Sequence, residues 1–304
     1  MDRDRPVSDH EGPVLEALVR NPAPALLERA LLVLAGLASE QEIQAYQNKI
    51  DRVHRYFLDK CKRHQPVAAG RIPLYRHHSI ALCLFECLWN SKPRRFGDRY
   101  QLTEVIDAQL DPELRRPVGN CIGLTALYSV LGLRIGLDLS VLAASAHVLS
   151  QLRIGDRIID LEHTDPDGFD CRVGAEFVEF PVSLLSAHVL NSRGLSREKE
   201  GRFAAAGADF CKAILIHPAY ANAFNNRGNA RGREGDLAGA IADYTEAIRL
   251  DSSFCEAYCN RGVARLRSGR FREAQADFNA ALAINPDYGD ARVVLEYYGE
   301  GVLT

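Results

Sequence analysis

The chain has 304 residues, 47% hydrophobic and 25% charged, with a formal net charge of −3. That length holds two domains, and the balance is ordinary for a globular chain. It disfavours nucleic acid as a partner, because residues 187–304 carry equal numbers of basic and acidic side chains and no basic stripe that could track phosphates. The opening Met1-Asp2-Arg3-Asp4-Arg5 leads into no apolar core of signal-peptide type, and the longest apolar stretch, near 31–38, is too short to span a bilayer. A cytoplasmic location without a membrane partner is expected. The eight cysteines are dispersed and do not suggest a disulfide scaffold. Cys83/Cys87 and Cys255/Cys259 have helical i,i+4 spacing, yet no second Cys or His pair accompanies either. They read as small buried hydrophobes, and no metal or cofactor is expected.

In chain order, Leu15, Leu18, Val19, Leu26, Leu27, Ala30 and Leu31 form an apolar stripe interrupted at Pro22 and Pro24, and Ile43, Tyr46, Ile50, Val53 and Phe57 form a second. They predict helices over 11–38 and 40–64, so residues 1–70 are taken as a helical N-terminal segment. A Pro- and Gly-bearing connection at 66–73 precedes a strongly apolar helix from Ile80 to Trp89.

The residues able to do chemistry lie between 100 and 165. Pro117-Val118-Gly119-Asn120-Cys121 runs into Leu124, Leu127, Tyr128, Leu131 and Ile135, a helical stripe that ends near Gly136. Cys121 therefore opens a largely buried helix, where unpaired N–H groups and the positive dipole end favour an anion. Asn120 reads equally well as the helix N-cap. An apolar strand-like stretch, Leu137 to Ala144, leads to His147. Val148–Arg153, a turn around Ile154-Gly155-Asp156, and Arg157–Leu161 then read as a β-hairpin. If the turn centres between Ile154 and Gly155, residue 147 faces 162 and Asp160 lies diagonally from His147 on the same face. Moving the centre by one residue keeps that shared face. Cys121, His147 and Asp160 can thus supply a thiol nucleophile, its imidazole base and an orienting carboxylate. Glu162 and His163 are rivals for the same roles, a buried structural cysteine is the alternative, and Asp165 and Asp167 read as a solvated turn.

From about 187 to 288 the chain repeats every 34 residues. Aligning Arg193-Gly194, Arg227-Gly228 and Arg261-Gly262 also aligns Ala206, Ala240 and Ala274, and Ala213, Ala247 and Ala281. Each unit offers two amphipathic helices, as at 222–233 and 237–249, joined by a Gly-bearing turn at Glu234-Gly235-Asp236. Gly228, Ala240 and Ala247 fall where helices must approach closely. Such a pair cannot bury its apolar face alone, so neighbours stack. Residues 184–304 are therefore predicted to form an all-α solenoid of three repeats, closed by a capping helix over 289–298 and resting at its start on the domain before it. This region resembles the tetratricopeptide repeat (TPR) family.

A second resemblance covers about 75 to 290. Tyr100-Gln-Leu-Thr-Glu-Val-Ile-Asp107, Gly119-Asn120-Cys121-Ile-Gly-Leu-Thr-Ala-Leu-Tyr128, Gly136-Leu137, His147, Ile158-Ile-Asp160 and Leu184-Leu185 leading into Asn191-Ser-Arg-Gly194 follow the order found in SirB-type transglutaminase-like proteins, which carry TPR repeats directly after the core. The resemblance implies an α+β fold, with a papain-like or transglutaminase-like core over 71–183 and a small antiparallel sheet. It also implies Cys121, His147 and Asp160 at the three catalytic positions. The chain departs from the family pattern at Ala146, where many relatives have Gly, and at Asp160-Leu-Glu-His163, where Asp-Pro-Phe-Asn is usual. Many members lack the cysteine; it is present here.

The repeats raise a binding role. By family geometry, His188, Asn191 and Ser192, then Asn222, Asn225, Asn226 and Asn229, then Glu256, Cys259 and Asn260 would face the concave side. Asparagines both donate to and accept from an extended backbone, which suits a protein or peptide partner. The basic set typical of repeats that grip a C-terminal carboxylate is missing at the corresponding positions. Two functions stay open. One is a cysteine-dependent hydrolase or acyl-transfer enzyme acting on amide bonds, with the repeats recruiting its substrate. The other is a non-catalytic scaffold whose transglutaminase-like core binds or supports.

Overall fold

The computed structural model describes residues 11–64, 76–89, 102–111, 120–144, 147–165, 168–171, 173–174, 177–289, 291–292 and 294. The connection at 66–73, Pro117–Gly119, Tyr100, Ala146, Asp167 and most of the 289–298 segment lie outside these residues. The chain divides into two compact units, Met1–Val189 and Leu190–Thr304.

In the first unit, the stretch expected as one helix over 11–38 is two, α1 (Glu11–Arg20) and α2 (Pro24–Leu34). Pro24 occupies the first turn of α2, where its missing N–H costs nothing, so the prolines separate two helices instead of kinking one. α3 (Glu40–His64) opens with a capping box: Glu42 N–H donates to Ser39 Oγ at 3.2 Å, and Ser39 N–H donates back to Glu42 Oε2 at 3.0 Å. Its stripe of Ile43, Ile50, Val53 and Phe57 is buried. α4 (His77–Trp89) and α5 (Leu102–Leu110) follow. α2 packs on α6 and α3 on α5, so the N-terminal helices set apart by sequence share one unit with the sheet.

α6 (Cys121–Arg134) is buried along most of its length and packs on β1 and β2. Asn120 is its N-cap, with Oδ1 accepting from Gly123 N–H at 3.0 Å. The sheet is fully antiparallel, in the order β4-β3-β2-β1-β5: β1 (Asp138–Ala143), β2 (Val148–Ile154), β3 (Arg157–Leu161), β4 (Phe169–Cys171) and β5 (Val178–Pro181). The predicted hairpin is β2–β3. The two outer strands escaped the sequence reading because three or four residues carry too little alternation to register.

The second unit is built of helix pairs, with the unit boundary falling inside α7 (Leu185–Lys199). α8 (Phe203–Ile216), α9 (Ala221–Glu234), α10 (Leu237–Leu250), α11 (Cys255–Arg267) and α12 (Phe271–Ile284) complete three repeats. Buried clusters join the second helix of one repeat to the first of the next: Ala206 and Phe210 with Ala230, then Ala240 and Tyr244 with Ala264. A Cβ on Gly194, Gly228 or Gly262 would stand 2.4, 2.6 or 2.8 Å from the ring of Phe210, Tyr244 or Phe278. Only glycine lets those aromatics lie against the neighbouring helix. Beyond α12, Ala291 is buried in the cluster that holds Cys259 and Phe278.

Candidate functional site

Cys121 is the first residue of α6 and only 6% exposed. Its thiol acts on the His147 imidazole, which comes from the segment just before β2. The other partner of that ring is a carboxylate, and here the structure corrects the sequence reading. His147 Nε2 pairs with Glu162 Oε2, whereas Asp160 Oδ1 accepts from Gln151 Nε2 at 2.8 Å.

The reason is register. Ile154 pairs with Arg157 and Gln151 with Asp160, so the turn centres between Gly155 and Asp156, one residue beyond the position assumed. His147 and Asp160 keep the same parity, but they stand two rungs apart on that face. Glu162 takes the diagonal place. It is held there by the chain that follows. Thr164 donates its N–H and its hydroxyl to Glu162 Oε1 at 2.8 and 2.6 Å, and Glu162 N–H donates to Gly168 O at 2.8 Å. A Cβ on Gly168 would lie 2.2 Å from Glu162 O, so the loop closes this tightly only with glycine.

These contacts set the charges. The Cys121 thiol first, and the Glu162 hydrogen bond second, push His147 up to about 10 against the opposing effect of burial. For Glu162 burial pushes upward, but the hydrogen bonds from His147 and Thr164 prevail and bring its carboxyl down to about 2. At neutral pH the pair is therefore imidazolium and carboxylate, and the imidazolium can give a proton to a leaving group. Phe177 meets the His147 ring edge-on, with centroids 6.2 Å apart.

His163, the other rival, faces the interior. It is fully buried against Tyr128; Trp89 Nε1 donates to its Nδ1 at 3.3 Å, and its Nε2 lies 2.8 Å from Ser150 Oγ. With Nδ1 accepting, the proton sits on Nε2 and is given to the serine, so this is a structural histidine. Asp165 accepts from Gly168 N–H at 3.2 Å within the loop that holds Glu162.

In the second unit the asparagines expected to meet a partner mostly meet one another. Asn226 Nδ2 donates to Asn191 Oδ1 at 2.9 Å, and Asn260 Nδ2 donates to Asn225 Oδ1 at 3.0 Å. Asn225 is buried and donates to Glu256 Oε1 at 3.1 Å, while Asn229 Oδ1 accepts from Tyr244 OH at 2.8 Å. Both Asn–Asn contacts span 35 residues, so they knit each repeat to the next, and Asn222 stays half-buried in the first turn of α9. Beside this ladder lies a hollow of about 340 Å³ lined by Glu198, Asn229, Gly232, Arg233, Tyr244, Asn260, Val263, Ala264 and Arg267. Arg233 and Arg267 occupy equivalent positions in consecutive repeats. That recurrence was the available signal for the two residues the sequence reading missed.

Each repeat also contains a buried charge cluster. Arg193 and Arg197 hold Asp209, Arg227 and Arg231 hold Asp243, and Arg261 and Arg265 hold Asp277, at closest N···O distances of 2.6 to 2.9 Å. Among the described residues no group of three or more His, Cys, Asp or Glu is placed to bind a metal, and no helix is long and apolar enough to cross a membrane.

Residues 229–269 match the TPR repeat model and residues 255–288 the tetratricopeptide repeat model, so the C-terminal region carries TPR repeats. No curated protein matches the chain. Among solved structures, the chain is similar to the first TPR of Spaghetti (RPAP3) bound to an HSP90 peptide, at 27% identity over 39% of this chain and 94% of that one, with a TM-score of 0.38. It is also similar to the Arabidopsis OM64 TPR domain, at 29% identity over 38% and 94% with a TM-score of 0.37. The second TPR domain of human RPAP3 in complex with an HSP70 peptide aligns at 30% identity over 38% and 98%, with a TM-score of 0.36.

Proposed function

We propose that the chain is a TPR-bearing, transglutaminase-like protein of SirB type that combines a thiol site with a surface for a protein or peptide partner. The observation that carries the first part is one imidazole that pairs with Glu162 and is pushed upward most strongly by the Cys121 thiol. Cys121 would attack an amide carbonyl. His147 would hold the proton and return it to the leaving amine, and Glu162, fixed by Thr164, would keep the ring in place. In this reading Glu162 takes the role first expected of Asp160. The partner would lie in the hollow beside Asn229 and Asn260, with Arg233 and Arg267 as its cationic contacts.

A thiol-directed alkylating probe at neutral pH tests the first part. Selective labelling of Cys121 that falls in His147→Ala and Glu162→Gln, and holds in Asp160→Asn, supports it. Labelling indifferent to all three substitutions refutes it. A pull-down that survives Arg233→Glu/Arg267→Glu removes the hollow from the binding role.

The second reading, a non-catalytic scaffold, is favoured by the 6% exposure of Cys121. It predicts that a bulky probe leaves Cys121 unmodified until the chain is unfolded, while the partner binds the Cys121→Ala variant unchanged.

A further inference from the structure

Cys61 stands near the end of α3, and Cys83 lies in the second turn of α4, which packs beside it. Their sulfurs are 3.0 Å apart. A disulfide has its sulfurs at about 2.05 Å, so closing this pair requires movement of about 1 Å. The sequence reading gave Cys83 no thiol partner outside its own helix, because the contact crosses between helices and leaves no trace in local spacing. We propose that Cys61 and Cys83 are a reversible thiol–disulfide pair that exchanges with low-molecular-weight disulfides of the glutathione class.

Exposure sets the order of events. Cys61 is only 4% exposed, whereas Cys83 is half-buried and within reach of a small molecule. The Cys83 thiolate attacks one sulfur of oxidised glutathione, forming a mixed disulfide and releasing one glutathione thiolate. The Cys61 thiol then loses its proton to solvent and attacks the Cys83 sulfur, expelling the second glutathione thiolate. Two protein thiols are oxidised and one external disulfide is reduced to two thiols, so atoms and electrons balance. The second step is the slow one, since burial, the leading cause, pushes the Cys61 thiol above its usual range. Cys87, one helical turn beyond Cys83, is the internal competitor: burial pushes its thiol up and nearby Lys60 pulls it down. Metal ligation does not explain the grouping, given that no metal-binding set exists among the described residues. This inference does not depend on the thiol site at Cys121.

The test uses the full chain, reduced and then equilibrated in glutathione redox buffers, acid-quenched, alkylated and mapped by mass spectrometry. The expected product is 2 Da lighter than the reduced chain, with Cys61 joined to Cys83. It is lost in Cys61→Ala and in Cys83→Ser and retained in Cys87→Ser and Cys121→Ala. Its rate of formation should rise about tenfold per pH unit between pH 7 and 8.5, following the thiolate fraction of Cys61. In Cys61→Ala, where only glutathionylated Cys83 should accumulate, circular dichroism matching the parent excludes misfolding as the cause. A Cys83–Cys87 bond in the parent chain, glutathionylation of Cys83 that never resolves, or full alkylation of both thiols at every buffer ratio overturns the proposal. So does purification with one equivalent of zinc that protects all three thiols.

Discussion

The two units place polar side chains by opposite means. In the first, the Cys121–His147–Glu162 chain is assembled once, from a helix start, the segment before β2 and the loop after β3, and no other part of the sequence repeats it. In the second, the Arg–Asp clusters and the asparagine contacts recur at fixed offsets, so each arrangement is rehearsed along the chain. A single-copy site depends on register and tolerates no slip. A repeated one averages over copies and announces itself by period.

The largest effects should appear where the single-copy site is broken. His147→Ala is expected to slow alkylation of Cys121 roughly a hundredfold, and Glu162→Gln by on the order of tenfold, while Asp160→Asn stays within about twofold. The second-order labelling rate at pH 7 measures all three, and equal losses for Glu162 and Asp160 would erase the register argument. In the repeats, Asp243→Ala strands Arg227 and Arg231 around an emptied position and is expected to cost about 3 kcal/mol in urea unfolding, discounted for the partial exposure of Arg231. Gly228→Ala forces a methyl toward Tyr244 and should cost about 1–3 kcal/mol. Asn226→Ala removes one inter-repeat hydrogen bond, for about 1 kcal/mol.

The pH profile of stability gives the finest test. Glu162, lowered from 4.5 to about 2, stabilises the folded state above pH 4.5, and that contribution is lost as pH falls toward 2. His147, raised from 6.5 to about 10, contributes fully below pH 6.5 and loses its contribution as pH rises toward 10. The melting-temperature gap between the parent chain and Glu162→Gln should therefore be widest between pH 4.5 and 6.5 and narrow on both sides. A gap that is flat with pH would mean that the two side chains are not paired.

How much could be read beforehand follows the same division. The 34-residue period gave the helix pairs to within a residue or two, because small residues at Gly228 and Ala240 are demanded by close approach and recur. The helix at Cys121, its Asn120 cap and the β2–β3 hairpin were legible from local patterns. The choice between Asp160 and Glu162 was not. It hangs on a turn centre one residue further along, fixed by tertiary pairing that alternation in a five-residue strand cannot report. The contacts among the asparagines were illegible for a related reason. Polar residues on a helix face look the same in sequence whether they await a ligand or bind the next helix.

The Arg–Asp clusters have an evolutionary corollary. Each closes within its own repeat, the aspartate lying 16 residues after the first arginine and 12 after the second. Duplicating or deleting one 34-residue stretch would therefore copy or remove a complete set of charges, leaving no buried ion widowed. The buried charges thus set no limit on repeat number, whereas Cys121, His147 and Glu162 occur in this arrangement once.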